Sequence, residues 1–169
     1  MLELNLSVIA EIAEVKAEEN TAFRGFLKEW DSEELDGYVQ ELNKELSPHI
    51  DCTSCGNCCR QLMINLEDED VLRLAEAIDL DYGEFSEKYV ERSSEGSMQI
   101  MNSIPCHFLS DNKCQHYLSR PAECREFPGL HQPAFKNRMF ATFMHYGRCP
   151  IVFNVIECLK QRTGFSIPV

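Results

Sequence analysis

Apolar residues recur at helical intervals near the start of the chain. Between residues 2 and 17 they fall at Leu4, Val8, Ile12 and Val15, flanked by Leu2, Leu6, Ile9 and Ala13, which predicts an amphipathic helix with a broad apolar face. Phe23, Phe26, Leu27 and Trp30 predict a second short helix with core aromatics. Asp31 and Glu34 form a capping-box pattern ahead of Leu35, Val39, Leu42 and Leu46, and Pro48 stops that helix. Residues 61–66 read as a short extended segment. Glu67-Asp68-Glu69-Asp70 then opens a periodic run at Val71, Leu72, Leu74, Ala75 and Ile78, where acids suit a helix N-terminus better than a hard-cation site. Asp81 with Glu84 starts another capped helix, predicted to end near Arg92 in a polar loop over residues 93–97.

From Met98 the texture changes. Residues 98–101 and 106–109 are short and strand-compatible, Ser110-Asp111-Asn112-Lys113 is a turn, and Cys114 onward returns antiparallel. Pro121 suits the first turn of a short helix through Arg125, which Phe127-Pro128-Gly129 breaks. Residues 135–146 are apolar and fit helix or strand equally. Pro150 starts a last helix, with Ile151, Val155, Ile156 and Leu159 on one face and Gly164 near its end. The pattern predicts a mainly α fold with a small irregular or β-hairpin cysteine-rich region, α+β at most. Residues 1–50 form a helical scaffold, and residues 51–169 form a cysteine-cluster region packed with it as a single domain.

Composition adds chemistry to this outline. Nine cysteines stand in 169 residues, four of them in Cys52-Thr53-Ser54-Cys55-Gly56-Asn57-Cys58-Cys59, spaced C-x2-C-x2-C-C. Packing alone rarely concentrates cysteine this densely, because Val or Ala could replace it in a core. A thiolate cage for metal, a redox dithiol and a disulfide framework all compete. The N-terminus has no basic n-region, and no segment approaches a membrane span, so a cytoplasmic, reducing setting is expected and disulfides are disfavoured. The formal charge of −12 repels phosphate backbones, which argues against nucleic acid as a partner.

Beyond the first run, Cys106, Cys114, Cys124 and Cys149 each lie beside turn chemistry, where loops can aim several sulfurs at one point. Cys158 falls on the apolar face of the last helix and reads as a core residue. The other eight thiols would complete two four-thiolate sites. Adjacent side chains diverge by about 100° on a helix, so Cys58 and Cys59 serve different metals, bridge two, or split into ligand and bystander. The run Cys52-x2-Cys55-Gly56 suits a zinc knuckle, and Cys52-x2-Cys55-x2-Cys58 equally suits three corners of a 4Fe–4S cluster. Zinc and iron both remain open on spacing, since soft all-sulfur ligation suits either. The C-x3-C-x2-C spacing of radical-SAM enzymes is absent. His107 and His116 neighbour Cys106 and Cys114 and are candidates for ligands or supporting donors. Arg120 and Arg125 are candidates for binding beside the cofactor, compensating a multi-thiolate anion, with pairing to Glu123 or Glu126 as the alternative.

The run C-x2-C-x2-C-C, then Cys106-His107-Phe108-Leu109, then Cys114, then Tyr117-x2-Arg120-Pro121-x2-Cys124-Arg125-x-Phe127-Pro128, resembles the YkgJ-type cysteine-cluster family, described as zinc- or iron-chelating. The likeness covers roughly residues 52–150. Cys149 corresponds to the family's late cysteine, although Ile151 stands where glycine is common, and His116 replaces a usual apolar residue. The resemblance implies metal chelation through Cys52, Cys55, Cys58, Cys59, Cys106, Cys114, Cys124 and Cys149. It implies a reaction less firmly. One larger relative is a flagellin lysine methylase with an iron–sulfur centre, but this chain shows no glycine-rich SAM-binding loop after a strand. The expected function is metal binding, with an iron–sulfur redox protein or cluster-dependent modifying enzyme as one alternative. A thiol–disulfide oxidoreductase through Cys52 and Cys55 is the other, and it requires a strand leading into that pair.

Overall fold

The computed structural model describes residues 1–94 and 98–166. In chain order its first helices are α1 (Leu6–Val15), α2 (Ala17–Lys28), α3 (Ser32–Leu46), α4 (Cys52–Cys55) and α5 (Asn57–Gln61). There follow α6 (Asp68–Ala77), α7 (Tyr82–Tyr89), α8 (Ala122–Glu126), α9 (Phe135–Met144) and α10 (Pro150–Arg162). The strands are β1 (Val90–Arg92), β2 (Gln99–Met101), β3 (Leu109–Ser110) and β4 (Lys113–Cys114), forming two antiparallel pairs. The protein is mainly α, as its apolar periodicity predicts. It divides into two compact units, one made of Met1–Asp51 and Pro128–Val169, the other of Cys52–Phe127.

In the first unit, α10 packs against α3 and α1, and α9 against α2 and α3. Helix α10 is apolar on nearly every side: Ile151, Val152, Phe153, Val155, Ile156 and Leu159 are all buried, which suits a central helix. Cys158, expected in the core, is only half-buried. Helix α1 begins later than its periodicity suggests, because Asn5 caps it by accepting from the Ser7 and Val8 N–H groups at 2.9 and 3.3 Å. Its buried centre is Ile9, while Val15 is 85% exposed, so the apolar face is narrower than predicted and turned away from Val15. Asp31 caps α3 through the Glu33 and Glu34 N–H groups. The ambiguous stretch 135–146 is helical through Met144. Its N-terminus is capped from a distance: Asp36 accepts from the Ala134 and Phe135 N–H groups at 2.7 and 2.8 Å.

A charged network crosses this unit. Lys160, 5% exposed, donates to Glu19 and Glu157 at 2.7 Å each, Lys16 pairs with Glu157, and the Tyr146 hydroxyl donates to Glu157 at 2.7 Å. Burial would raise the Glu157 carboxyl, but the hydrogen bonds from Lys16, Lys160 and Tyr146 win and hold its pKa below the ordinary value.

The second unit is built on the capped helices α6 and α7. Asp81 with Glu84 forms a reciprocal capping box at the predicted start of α7, and the acidic run that opens α6 supplies a second box, Glu67 with Asp70. Helix α7 stops at Tyr89, earlier than expected, because Val90, Glu91 and Arg92 pair as β1 with Met101, Ile100 and Gln99 of β2. Of the polar loop expected over residues 93–97, positions 95–97 lie outside the described residues. Residues 106–109 are not a strand. They form a turn into β3, and only Leu109 and Ser110 pair, with Cys114 and Lys113. The turn between them is the predicted one, with Asp111 and Asn112 at φ 47° and 65°. Ile64, Leu66, Val71, Leu74, Ala75, Phe85, Met101 and Phe108 make the core, and Cys106, Cys114 and Cys124 pack against it. Gly56 separates α4 from α5 at φ 60°, where a Cβ would lie 2.5 Å from the Asn112 carbonyl oxygen. Arg60 donates to the Asn112 side chain and to the Cys55 carbonyl, the latter at 3.3 Å, so the cysteine run is clipped to the β3–β4 turn.

Two outcomes are expected. Gly56→Ala combines left-handed strain with overpacking and should destabilise the second unit by about 3 kcal/mol, read in urea melts; a variant melting like the wild type would contradict the close approach. Glu157→Gln should cost about 2 kcal/mol at neutral pH, less than a fully buried pair because the carboxylate keeps some solvent contact. Because the Glu157 pKa is lowered on folding, its contribution is present above the ordinary carboxylate range and lost as pH falls through the lowered value. The gap between variant and wild-type melts should therefore close as pH falls from the ordinary carboxylate range through the lowered Glu157 value, and a gap independent of pH would refute the network's role.

Candidate metal centre

All nine cysteines are free thiols. Cys52 is exposed at the start of α4, and Cys55, at its end, is half-buried. The residues before this pair are a 3-10 turn, Ser47–His49, then Ile50 and Asp51. Cys58 and Cys59 sit half-buried in the single turn of α5. The Cys106 N–H donates to the Cys59 carbonyl at 2.8 Å, which ties the turn before β3 to α5. Cys114 lies in β4, against which α4 packs, and Cys124 lies in α8. Cys149 belongs to the other unit. It is buried at the start of α10, its N–H donating to the His145 carbonyl and its own carbonyl accepting from Phe153, both at 2.9 Å.

Five of these thiols feel one another's charge. Cys59 donates a hydrogen bond to Cys58, which together with the Arg120 guanidinium holds Cys58 down at about 7 against the opposing effect of burial. The same bond pushes Cys59 up, reinforced by burial and by negative charge on Cys58, Cys106 and Cys114. Burial first, then Cys58, Cys106 and Cys114, pushes Cys124 up to about 12. Cys106 is raised by burial and by Cys114 and Cys58. Ionising one sulfur therefore opposes ionising the next, the situation a cation relieves. Among the described residues, no group of three or more Cys, His, Asp or Glu side chains is already arranged to hold a metal ion. The donor set fits a soft cation by its chemistry, with the sulfurs gathered but not closed into a coordination shell.

The arginines are placed by backbone carbonyls. Arg120 stacks over the Tyr117 ring, 3.7 Å from its centroid, and donates to the Tyr117 carbonyl at 2.7 Å. Arg125 donates to the Arg120 carbonyl at 2.8 Å. Glu123, considered above as their partner, accepts from the Asn65 N–H at 2.5 Å and from its side-chain amide at 3.2 and 3.3 Å. His107 bonds the Asn102 side chain through Nε2 at 2.6 Å and lies edge-on to Tyr89. His116 lies edge-on to Phe108.

Residues that the spacing of cysteines did not single out also hold this region. Asp70 is 3% exposed and accepts from Arg73 and from the Ala122 N–H at 3.0 Å, and Arg73 reaches the Ser119 and Arg120 carbonyls at 3.4 and 3.3 Å. The acidic opening of α6 was the available signal, but it pointed only to a local cap.

No helix among the described residues is long and apolar enough to cross a membrane. No curated protein and no solved structure matches the chain. A family model does match, over residues 51–146, more than half the chain and including seven of the eight predicted ligand cysteines. The chain thus belongs to the CxxCxxCC family, described as a putative zinc- or iron-chelating domain.

Proposed function

We propose that the Cys52–Phe127 unit is a soft-metal module that holds zinc or iron through cysteine thiolates. The observation that carries this reading is the convergence of the cysteine-bearing elements: α4 packs against β4, the Cys106 N–H donates to the Cys59 carbonyl at 2.8 Å, and Cys106, Cys114 and Cys124 pack against one apolar core. Cys52 and Cys55, on α4, extend the ligand set. Arg120 offsets the anionic charge that several thiolates on one divalent ion leave behind. Arg125 acts through the Arg120 carbonyl it holds. The bound metal supplies a soft Lewis-acidic centre, or a one-electron carrier where iron is held as a 4Fe–4S cluster. Free thiols throughout suit a reducing compartment such as the cytoplasm. A thiol–disulfide oxidoreductase reading fares worse, because Cys52 and Cys55 follow a 3-10 turn where a strand is required.

Anaerobic purification followed by elemental analysis and an absorption spectrum tests this directly. A colourless zinc-loaded protein assigns the zinc form, whereas brown protein that bleaches on reduction assigns the cluster. Metal-free protein that takes up neither zinc nor iron refutes the proposal. Metal binding also stabilises the folded chain, since unfolded thiols do not form the site. Chelator should lower the melting temperature by about 10 °C, the shift expected for ligand at about a thousandfold over its dissociation constant. Cys58→Ser should abolish most of that difference and Cys158→Ser none of it. Equal responses in the two variants would count against the assignment of ligands.

A further inference from the structure

Helix α8 carries Cys124, yet it has only five residues and no side-chain cap of its own. A helix this short is not stable alone. Pro121, its N-cap residue, offers no donor or acceptor side chain, so the first N–H of α8, on Ala122, needs an acceptor from elsewhere. Asp70 supplies it. One carboxylate oxygen accepts from the Ala122 N–H at 3.0 Å and from Arg73, and the other accepts from the Glu67 N–H at 3.3 Å, inside the α6 capping box. Arg73 then carries the connection onward to the carbonyls of Ser119 and Arg120. Glu123, in the first turn of α8, fastens the helix also to Asn65, which bridges to Ile100 in β2. A carboxylate that is 3% exposed would be costly unless its oxygens were this fully engaged.

We infer that Asp70 is a positioning residue of the thiolate centre, fixing α8 so that Cys124 and Arg120 stand where the other sulfurs can share a cation with them. This inference rests on the metal-binding reading above. It assigns Asp70 no contact with metal. Its oxygens are spent on Arg73, Ala122 and Glu67, and it acts through the backbone of the Ser119-to-Ala122 segment.

Two substitutions separate this from a general stabilising role. Asp70→Asn removes the charge and one acceptor. Ala122→Pro removes only the N–H that Asp70 holds, at a first-turn position that tolerates proline and after a Pro121 whose ψ of 157° already suits a following proline. The core variant Leu74→Ala serves as a destabilised control. In metal-free protein, alkylation followed by peptide mass spectrometry should show Cys124 reacting at least about tenfold faster in Asp70→Asn and Ala122→Pro, the loss expected for one charge-assisted hydrogen bond, with Cys106 unchanged. In Leu74→Ala both cysteines should speed up together. With Co2+ as probe, the sulfur-to-cobalt absorption of both Asp70→Asn and Ala122→Pro should fall to that of Cys124→Ser. If Cys106 and Cys124 accelerate equally in Ala122→Pro, the positioning role is overturned. If the wild type gives no sulfur-to-cobalt band, the metal reading fails, and the ratio of Cys124 to Cys106 reactivity still decides whether Asp70 places Cys124.

Discussion

Several ionisable sulfurs held in one small volume cannot all carry charge unless something positive joins them. In the Cys52–Phe127 unit the thiols split: the Cys59 hydrogen bond, helped by Arg120, holds Cys58 near 7, while that same bond pushes Cys59 up and burial pushes Cys106 and Cys124 up, with repulsion adding to each. One thiolate is tolerated because a neighbouring thiol donates to it and one guanidinium faces it. Further ionisation needs a cation. Burial strengthens the effect, since Cys106, Cys114 and Cys124 lie half-buried against the apolar core, where water screens them less. The same burial would suit three inert core cysteines. What distinguishes a shared site from three fillers is the convergence of their elements, with the Cys106 N–H on the Cys59 carbonyl and α4 packed against β4.

Such a site has to be assembled from pieces that are too short to hold themselves. Helices α4, α5 and α8 have four, five and five residues, and β3 and β4 have two each. Each is fixed by something outside it. Arg60 and the close approach of Gly56 to Asn112 join α4 and α5 to the β3–β4 turn, the Cys106 N–H joins the turn before β3 to α5, and Asp70 with Glu123 secures α8. Nearly every ligand candidate in this unit is therefore one hydrogen bond away from a polar clamp, which allows short, irregular backbone to hold sulfurs without a large core.

What could be read from the sequence follows the range of the interactions. Local chemistry was legible: Asp31 before α3, the acidic run that opens α6, Asp81 with Glu84, the Asp111-Asn112 turn, and Pro150 with Gly164 around α10 all signal within a few residues of where they act. The cysteines were legible too, because spacing and composition carry the chemistry. What escaped acts across the chain. Helix α9 looked ambiguous because its cap is Asp36, nearly a hundred residues earlier, and α8 is held by Asp70, some fifty residues earlier. The end of α7 was misplaced because Tyr89 and Val90 continue an apolar pattern whose partner, Met101, could not be anticipated. In α1 the apolar stripe was real, but its buried centre depended on which helices lie beside it. Aspartate therefore caps locally at Asp31 and Asp81 and from a distance at Asp36 and Asp70.

The size of the cysteine-rich unit sharpens the argument. Fewer than eighty residues enclose a core of eight buried apolar side chains, and a core on that scale rarely supplies more than about 3–5 kcal/mol. Small domains reach a safe margin with disulfides, a structural metal or association, and here the thiols are free. Because a thiolate site exists only in the folded chain, every kcal/mol of metal affinity adds to folding, and the polar clamps decide how much of that affinity is realised. Clamps that hold the sulfurs before a metal arrives would spare it the entropy of gathering them, which is how, on the proposed reading, Asp70 bears on metal affinity from a position that touches no metal.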